Sequence, residues 1–419
     1  MRAIRIAGVV AAIGLVLGAG LGLAACGGST PTAQPSKDKG NGKLEIWADP
    51  KRTAALKPFA DQFGKDNGVT VTVKEIAENL QQTFVTASQQ GSGPDIVIGA
   101  HDWIGNLVQN GSIDPVNLTS AQKSAFEPSA LKAVTFNGQV YGAPYAMENL
   151  ALIRNTELVP NAPATIEDLV KAAQDLKAAG KVSEIMCLQV GAAGDAYHIY
   201  PFFASAGGSL FGTTSSGDPD PKTVNVGSSD SVAAFAKLKE LGEKGLGALK
   251  TSIGSENSIS TFAGKKCAFL VSGPWATKDV KTAGIKYDIS PLPGFAGGKK
   301  ATPFLGVQAF YVASKAKSKA LAQEFVANYV TNKDVAKALY DADPRPPALT
   351  AAIDVVKGSD PDLVKFLNAG KDGFPMPAIP EMSAIWGPFG NAEVAVVKGE
   401  DPATAAAAAQ TAILAALKK

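Results

Sequence analysis

The sequence predicts an α/β protein whose first segment forms a parallel sheet, and three observations carry that expectation. Residues 43–98 run strand, helix, strand, helix, strand: KLEIWA, then Leu56, Phe59, Ala60 and Phe63 at helical spacing, then VTVTV, then Leu80, Phe84 and Ala87, then IVI. That order at that spacing is a βαβαβ unit, with parallel strands and helices on the sheet faces. The third strand, Ile96-Val97-Ile98, is apolar at consecutive positions, as in strands buried on both faces. Finally, 419 residues are many for one core, so two lobes are expected.

Residues 1–25 come before all of this. Arg2 and Arg5 precede an apolar, small-residue run, the pattern of an export signal peptide. Leu23-Ala24-Ala25-Cys26 resembles the lipobox of bacterial lipoproteins, which implies a diacylated Cys26 as the first mature residue. The alternative is an ordinary secretory peptide with a chance cysteine. Cys26 sits where cleavage should fall, and polar sequence follows at once. Residues 26–42 are rich in Gly, Pro, Ser and Lys and read as a flexible tether with a reach of roughly 20 Å.

The formal net charge is +2, and losing Arg2 and Arg5 leaves the mature chain near neutral. That argues against nucleic-acid or membrane-surface binding through charge. No stretch beyond residue 25 is long and apolar enough to span a bilayer. An exported chain meets an oxidising compartment, so Cys187 and Cys267 invite a disulfide. The competing reading is two small buried residues in separate strands.

In chain order, Asp49-Pro50 breaks the first strand and Lys51-Arg52 opens the first helix, which Asn67-Gly68 stops. The third strand ends at Gly99-Ala100, followed by His101, Asp102 and Trp103. A carboxylate and an aromatic displayed at a strand's carboxyl end mark where open α/β sheets bind ligands. Asp102 could equally cap the next helix. Residues 138–145 hold a short strand and turn. Residues 147–153 run apolar with Glu148 near their start. A helix is expected over 164–179, with Thr165 as N-cap and Gly180 as stop, and a strand over 185–190. An aromatic-rich helix should close at Gly207-Gly208, and another lie within 228–246. The strand after residue 262 ends at Gly273-Pro274-Trp275. A strand over 303–312, a helix over 318–330, a proline-broken passage after Gly373 and an alanine-rich helix from Asp401 complete the chain.

Enzyme signatures are scarce. There are two histidines, His101 and His198, and no HExxH pair, nucleophile elbow, phosphate loop or cysteine–histidine zinc cluster. Neither a cofactor nor a metal is expected. Asp102 and Glu148 could form a glycosidase pair, but nothing places them on opposite sides of a bond. The pattern fits a polyhydroxyl ligand better. Ionised carboxylates accept hydroxyl protons, and Lys51 and Arg52 donate. Trp103, Trp275, Trp386 and Tyr197 sit at ends or breaks of elements, where an aromatic face can meet the C–H face of a sugar ring. Trp47 lies inside a strand and reads as core.

The motifs KLEIWAD, GSGPDIVIGAHDWIG, YGAPYAMENLALIRN, SGPWA, PFLGVQAF and MPAIPEMSAIW, in this order, resemble the maltose/maltodextrin-binding proteins among the extracellular solute-binding proteins of ABC importers. The resemblance runs from Lys43 to the C-terminus. It implies a periplasmic-binding-protein-like fold of two α/β lobes joined by hinge strands, closing on a sugar. It implies lobes at 43–146 plus 309–348 and at 149–302 plus 355–419. Asp102 and Glu148 would then be hydroxyl acceptors, Tyr197, Trp275 and Trp386 stacking residues, and Met376 a cleft neighbour. Asp49, Lys51 and Arg52 fall at an acidic–basic turn, Asp195 where the family has a glutamate, and Trp103 where its best-known member has an arginine. The resemblance also puts Cys187 and Cys267 in one lobe. Gly99, Gly387 and Gly390 stand where that member has larger residues, so a roomier site is expected. What it implies as a whole is a monomeric, non-catalytic oligosaccharide receptor, held by its lipid outside the bacterial cytoplasmic membrane, that delivers ligand to a permease.

Overall fold

A computed structural model describes residues 42–215 and 219–418. The expected signal peptide, Cys26 and all but the last residue of the tether lie outside the described residues. Strand β1 (Lys43–Ala48) leads into helix α1 (Pro50–Asn67). Asp49 caps that helix by accepting from the Arg52 backbone N–H, Pro50 fills its first turn, and Gly68 ends it at φ 63°. Strand β2 (Thr70–Glu75), helix α2 (Leu80–Gln89) and strand β3 (Ile96–Ala100) follow. β1 pairs in parallel with β2 and β3, as the βαβαβ pattern requires. Trp47 is core, 4 % exposed.

The sheet is not parallel throughout. Phe304–Ala313 runs antiparallel to β3 and to Gly142–Glu148, re-entering this sheet after the chain has run through Tyr287–Ser290 of another. Both ends of that excursion are visible in the chain. Gly142–Glu148 leaves the first sheet, two residues intervene, and Ala151–Asn155 becomes an interior strand of a second sheet. That sheet is ordered Tyr287–Ser290, Ala151–Asn155, Phe269–Ser272, Cys187–Leu188. The strand expected over 185–190 shrinks to two residues, because it is an edge paired on one side only.

Each sheet has its own apolar core. One gathers Leu44, Phe63, Ile96, Ala146, Phe310, Phe325 and Leu349. The other gathers Leu150, Leu169, Phe202, Phe235, Phe269, Phe389 and Ile413. The helix Ile166–Ala178 has Thr165 at its cap, in a capping box with Asp168. Ala196–Ser205, Ser229–Leu241 and Pro402–Ala416 form where aromatic or alanine-rich runs predict them. The helix expected over 318–330 is α-helical at Lys319–Glu324 and π-helical at Phe325–Tyr329, where Phe325 packs edge-on against Phe63 at 5.0 Å. In the proline-broken passage, a 3-10 turn at Pro380–Ala384 precedes a helix, Trp386–Val397, that composition hides. Pro388 is tolerated there because first-turn N–H groups have no helical partner.

Cys187 and Cys267 are bonded, with Cα atoms 6.0 Å apart. Cys187 lies on the edge strand, and Cys267 lies two residues before Phe269–Ser272. Among the described residues, no helix is long and apolar enough to cross a membrane.

Candidate functional site

A cleft of about 470 Å³ opens where the ends of the two sheets meet. β3 supplies one wall. Its apolar residues are buried on both faces, and its end turns sharply through a 3-10 turn at His101–Trp103. His101 fixes that turn. Its Nδ1 accepts from the Val307 backbone N–H at 3.1 Å, so its Nε2–H donates to the Met376 carbonyl at 3.0 Å. Burial lowers its pKa to about 4, so the ring is neutral in this tautomer.

Asp102 is thereby turned into the cleft rather than onto the next helix, which it does not cap. Its carboxylate accepts from Trp386 Nε1 at 3.2 Å. Burial pushes its pKa up to about 6, against the opposing pull of that hydrogen bond. Glu148 ends the Gly142–Glu148 strand and accepts from Gln308 Nε2 at 3.0 Å and from Arg345. Burial would raise its pKa, but Arg345 and Arg52 outweigh burial and hold it ionised, below the ordinary value. Arg345 also pairs with Asp343, and its guanidinium lies 5.2 Å from the Trp275 ring centroid.

Tyr197 rises from Ala196–Ser205, its ring stacked on Phe304 at 6.4 Å. Its hydroxyl is buried and has no hydrogen-bond partner among the described residues. Burial, with Glu148 next in effect, raises its pKa well above normal, so it stays a neutral donor. Trp275 follows Phe269–Ser272 in a 3-10 turn, and Trp386 starts its helix. Lys51 sits exposed at the rim, and buried Met376 forms part of the floor.

Eight expected residues therefore share one cavity: Lys51, Asp102, Trp103, Glu148, Tyr197, Trp275, Met376 and Trp386. Three do not line it. Asp49 is occupied by capping α1 and pairing with Arg52. Arg52 turns into the first lobe and donates to the Tyr145 hydroxyl at 2.8 Å. Asp195 caps Ala196–Ser205 and holds Gln189 and His198. Those two residues, with Ser255, Ile259 and Arg345, also line the cleft, and sequence reasoning missed them. His198 directly follows Tyr197 in the chain. Arg345, between prolines in an irregular stretch, gave no periodic signal.

The expected extra room is largely absent. The space over Gly99 is filled by the Trp103 ring, and a Cβ on Gly390 would lie 2.7 Å from the Ala193 carbonyl. Gly387 alone of the three faces open space. A larger cavity, about 540 Å³, is lined by Lys132, Phe136, Tyr200, Phe211 and Phe374 among others, but by no carboxylate among the described residues. Among those residues, carboxylates and tryptophans line the smaller of the two together.

Two α/β sheets that each lend residues to one polar, aromatic cleft define a two-lobed ligand-binding protein. The chain belongs to a family described as bacterial extracellular solute-binding proteins, which it matches over residues 59–366. It is 29% identical over 409 residues (95% of this chain, 94% of the relative) to a maltooligosaccharide ABC transporter solute-binding lipoprotein of Streptococcus pneumoniae strain R6. It is 28% identical over 375 residues (87% of each chain) to the maltodextrin-binding protein MdxE of Bacillus subtilis. It is 27% identical over 397 residues (91% of each chain) to a galactooligosaccharide-binding protein of the same organism.

Proposed function

We propose that this protein is the receptor of a carbohydrate ABC importer, binding maltodextrin-type oligosaccharides between its lobes and passing them to a membrane permease. One observation carries the reading. The buried, partnerless Tyr197 hydroxyl stands in the same cleft as two carboxylates and three indoles. A buried donor without a partner costs free energy. The two carboxylates can accept sugar hydroxyls while the rings cover the C–H faces of the pyranose, and a lobe movement that uncovers Tyr197 would let it donate as well. The names of the relatives support the substrate class. Asp102 and Glu148 are the hydroxyl acceptors, and Trp103, Trp275, Trp386 and Tyr197 the stacking surface. Lys51 donates at the rim. Asp49, Arg52 and Asp195 act through the residues they hold.

The lobes are residues 43–146 with 309–348, and 149–302 with 355–419. The body is monomeric and tethered by lipidated Cys26 on the outer face of the cytoplasmic membrane. It performs no catalysis, a reading supported by the relatives, which are named for binding oligosaccharides and not for cleaving them. A galactooligosaccharide is the second reading, supported by the relative of that name. Calorimetry with maltose, maltotriose and galactooligosaccharides tests the class. Heat with maltotriose is expected. No heat with any glucose oligomer, beside tight binding of another solute, would overturn the maltodextrin reading. Cleavage of maltotriose would overturn the receptor.

A further inference from the structure

Two cleft tryptophans share an unusual seat. A Cβ built on Gly99 would overlap the outer edge of the six-membered ring of Trp103, nearest Cζ3, with Cη2 only 2.7 Å away. A Cβ built on Gly273 would overlap the same edge of Trp275, with Cε3 at 2.6 Å. Neither glycine is needed for its backbone. Gly273 has φ −99° and ψ −174°, extended geometry open to any residue. Gly99 is an ordinary strand residue paired with Ala309. What both positions require is the absence of a side chain, so that an indole can lie against bare main chain. Trp103 and Trp275 lie in 3-10 turns that follow strands of different sheets, yet both line the cleft. Gly306 does the same for Glu148, whose Cγ would lie 2.6 Å from an added Cβ.

We propose that Gly99 and Gly273 are positioning residues for ligand recognition: each sets the height and tilt of one indole, and neither touches the sugar. The proposal rests on the oligosaccharide reading for its affinity consequence, but not for its geometry. An indole resting on its own backbone has a single way to sit. A methyl beneath it must tilt the ring or push it outward. Gly208 supplies the contrast, because an added Cβ there would meet core residue Phe203, its Cδ1 at 2.7 Å, away from the cleft.

A double-mutant cycle tests this. Gly99→Ala should weaken maltotriose binding about tenfold or more when Trp103 is present, and less than twofold in a Trp103→Ala background. Gly273→Ala should behave likewise with Trp275→Ala. Gly208→Ala should lower thermal stability and leave maltotriose affinity within twofold. Equal losses from Gly99→Ala in both backgrounds would overturn the proposal, because the methyl would then act through the backbone. If Gly99→Ala alone fails to fold, folding of the Gly99→Ala/Trp103→Ala protein supports the seat and continued failure overturns it. Near-ultraviolet circular dichroism without sugar keeps the two claims apart. The signal lost on Trp103→Ala should differ between the parent protein and the Gly99→Ala variant even if no glucose oligomer binds. An identical signal would overturn the seat whatever the ligand.

Discussion

Asp102 gives the cleft its pH response. In the free protein, burial keeps its pKa at about 6, so part of the population is protonated just below neutrality. Sugar hydroxyls donating to the carboxylate favour the ionised form and lower its pKa in the complex. Affinity for maltotriose should therefore be flat above pH 6 and fall below it, by at most about tenfold per pH unit. Asp102→Asn should weaken binding at pH 7 by about tenfold and abolish the slope; a slope that survives in titrations between pH 5 and 7 would assign it elsewhere. Glu393 has the opposite importance, to stability alone. It is fully buried, burial raises its pKa well above normal, its Oε2 accepts from the Asp195 backbone N–H, and its Oε1 has no partner among the described residues. A raised carboxyl contributes stability that is present below its unfolded value and is lost as pH rises toward the folded one. Glu393→Gln should thus match the parent near pH 4 and melt at a higher temperature at pH 8. Equal melting temperatures at pH 8 would mean that the carboxyl is better solvated than its burial indicates. At this scale the residues that sequence reading placed at the ends of elements, Asp102, Trp275 and Trp386, come together in the cleft. Sequence reading failed where identity was right but direction was not. Asp49 and Arg52 face each other, and the bulk missing at Gly99 returns four residues later as Trp103. Direction depends on tertiary neighbours that a linear pattern does not contain.

Among the elements, those with strong periodicity and end signals were legible: β1 to β3, the Thr165-capped helix and the alanine-rich C-terminal helix all form. Elements made by contacts rather than pattern were not. The π-helical turn at Phe325–Tyr329 accommodates an aromatic cluster with Phe63. The Trp386–Val397 helix carries Gly387, Pro388 and Gly390, yet packs Phe389 edge-on to Phe203 at 4.8 Å. Tertiary burial there overrides poor local propensity. The disulfide makes an element-level prediction. It ties the two-residue edge strand to the chain beside Phe269–Ser272, across a sequence separation of 80 residues. Closing so long a loop restricts the unfolded chain. Replacing both cysteines with alanine should cost about 2–4 kcal/mol in urea unfolding of the exported body. Finding two free thiols in the denatured, unreduced protein would remove the bond altogether.

For the whole molecule, the passages between the sheets matter most. Glu148 belongs to the first sheet, Trp275 follows a strand of the second, and Arg345 touches both side chains. Arg345 lies in a segment bonded along the first: Met147 N–H donates to the Pro346 carbonyl at 2.7 Å, and Ala348 N–H to that of Tyr145 at 3.1 Å. The guanidinium is therefore anchored on the first sheet, while the ring beneath it follows a strand of the second. A ligand shifts such a hinge only by contacts that differ between open and closed states. The Trp103 face belongs to the first lobe and is available in both, whereas the Asp102 carboxylate already meets Trp386 across the cleft. The Trp275 and Trp386 faces belong to the second, so sugar contacts spanning both lobes are gained on closure. Saturating maltotriose should reduce the radius of gyration of the unaltered protein in X-ray scattering. Trp275→Ala should weaken binding by more than roughly tenfold. It should also reduce the contraction when sugar is raised to saturation, because part of the closure energy is gone. Trp103→Ala should weaken binding yet keep full contraction at saturation, because it removes a contact common to both states. Equal contraction in both variants would sink the division of labour between lobes. No contraction in the unaltered protein, with maltotriose bound by calorimetry, would leave a rigid receptor instead.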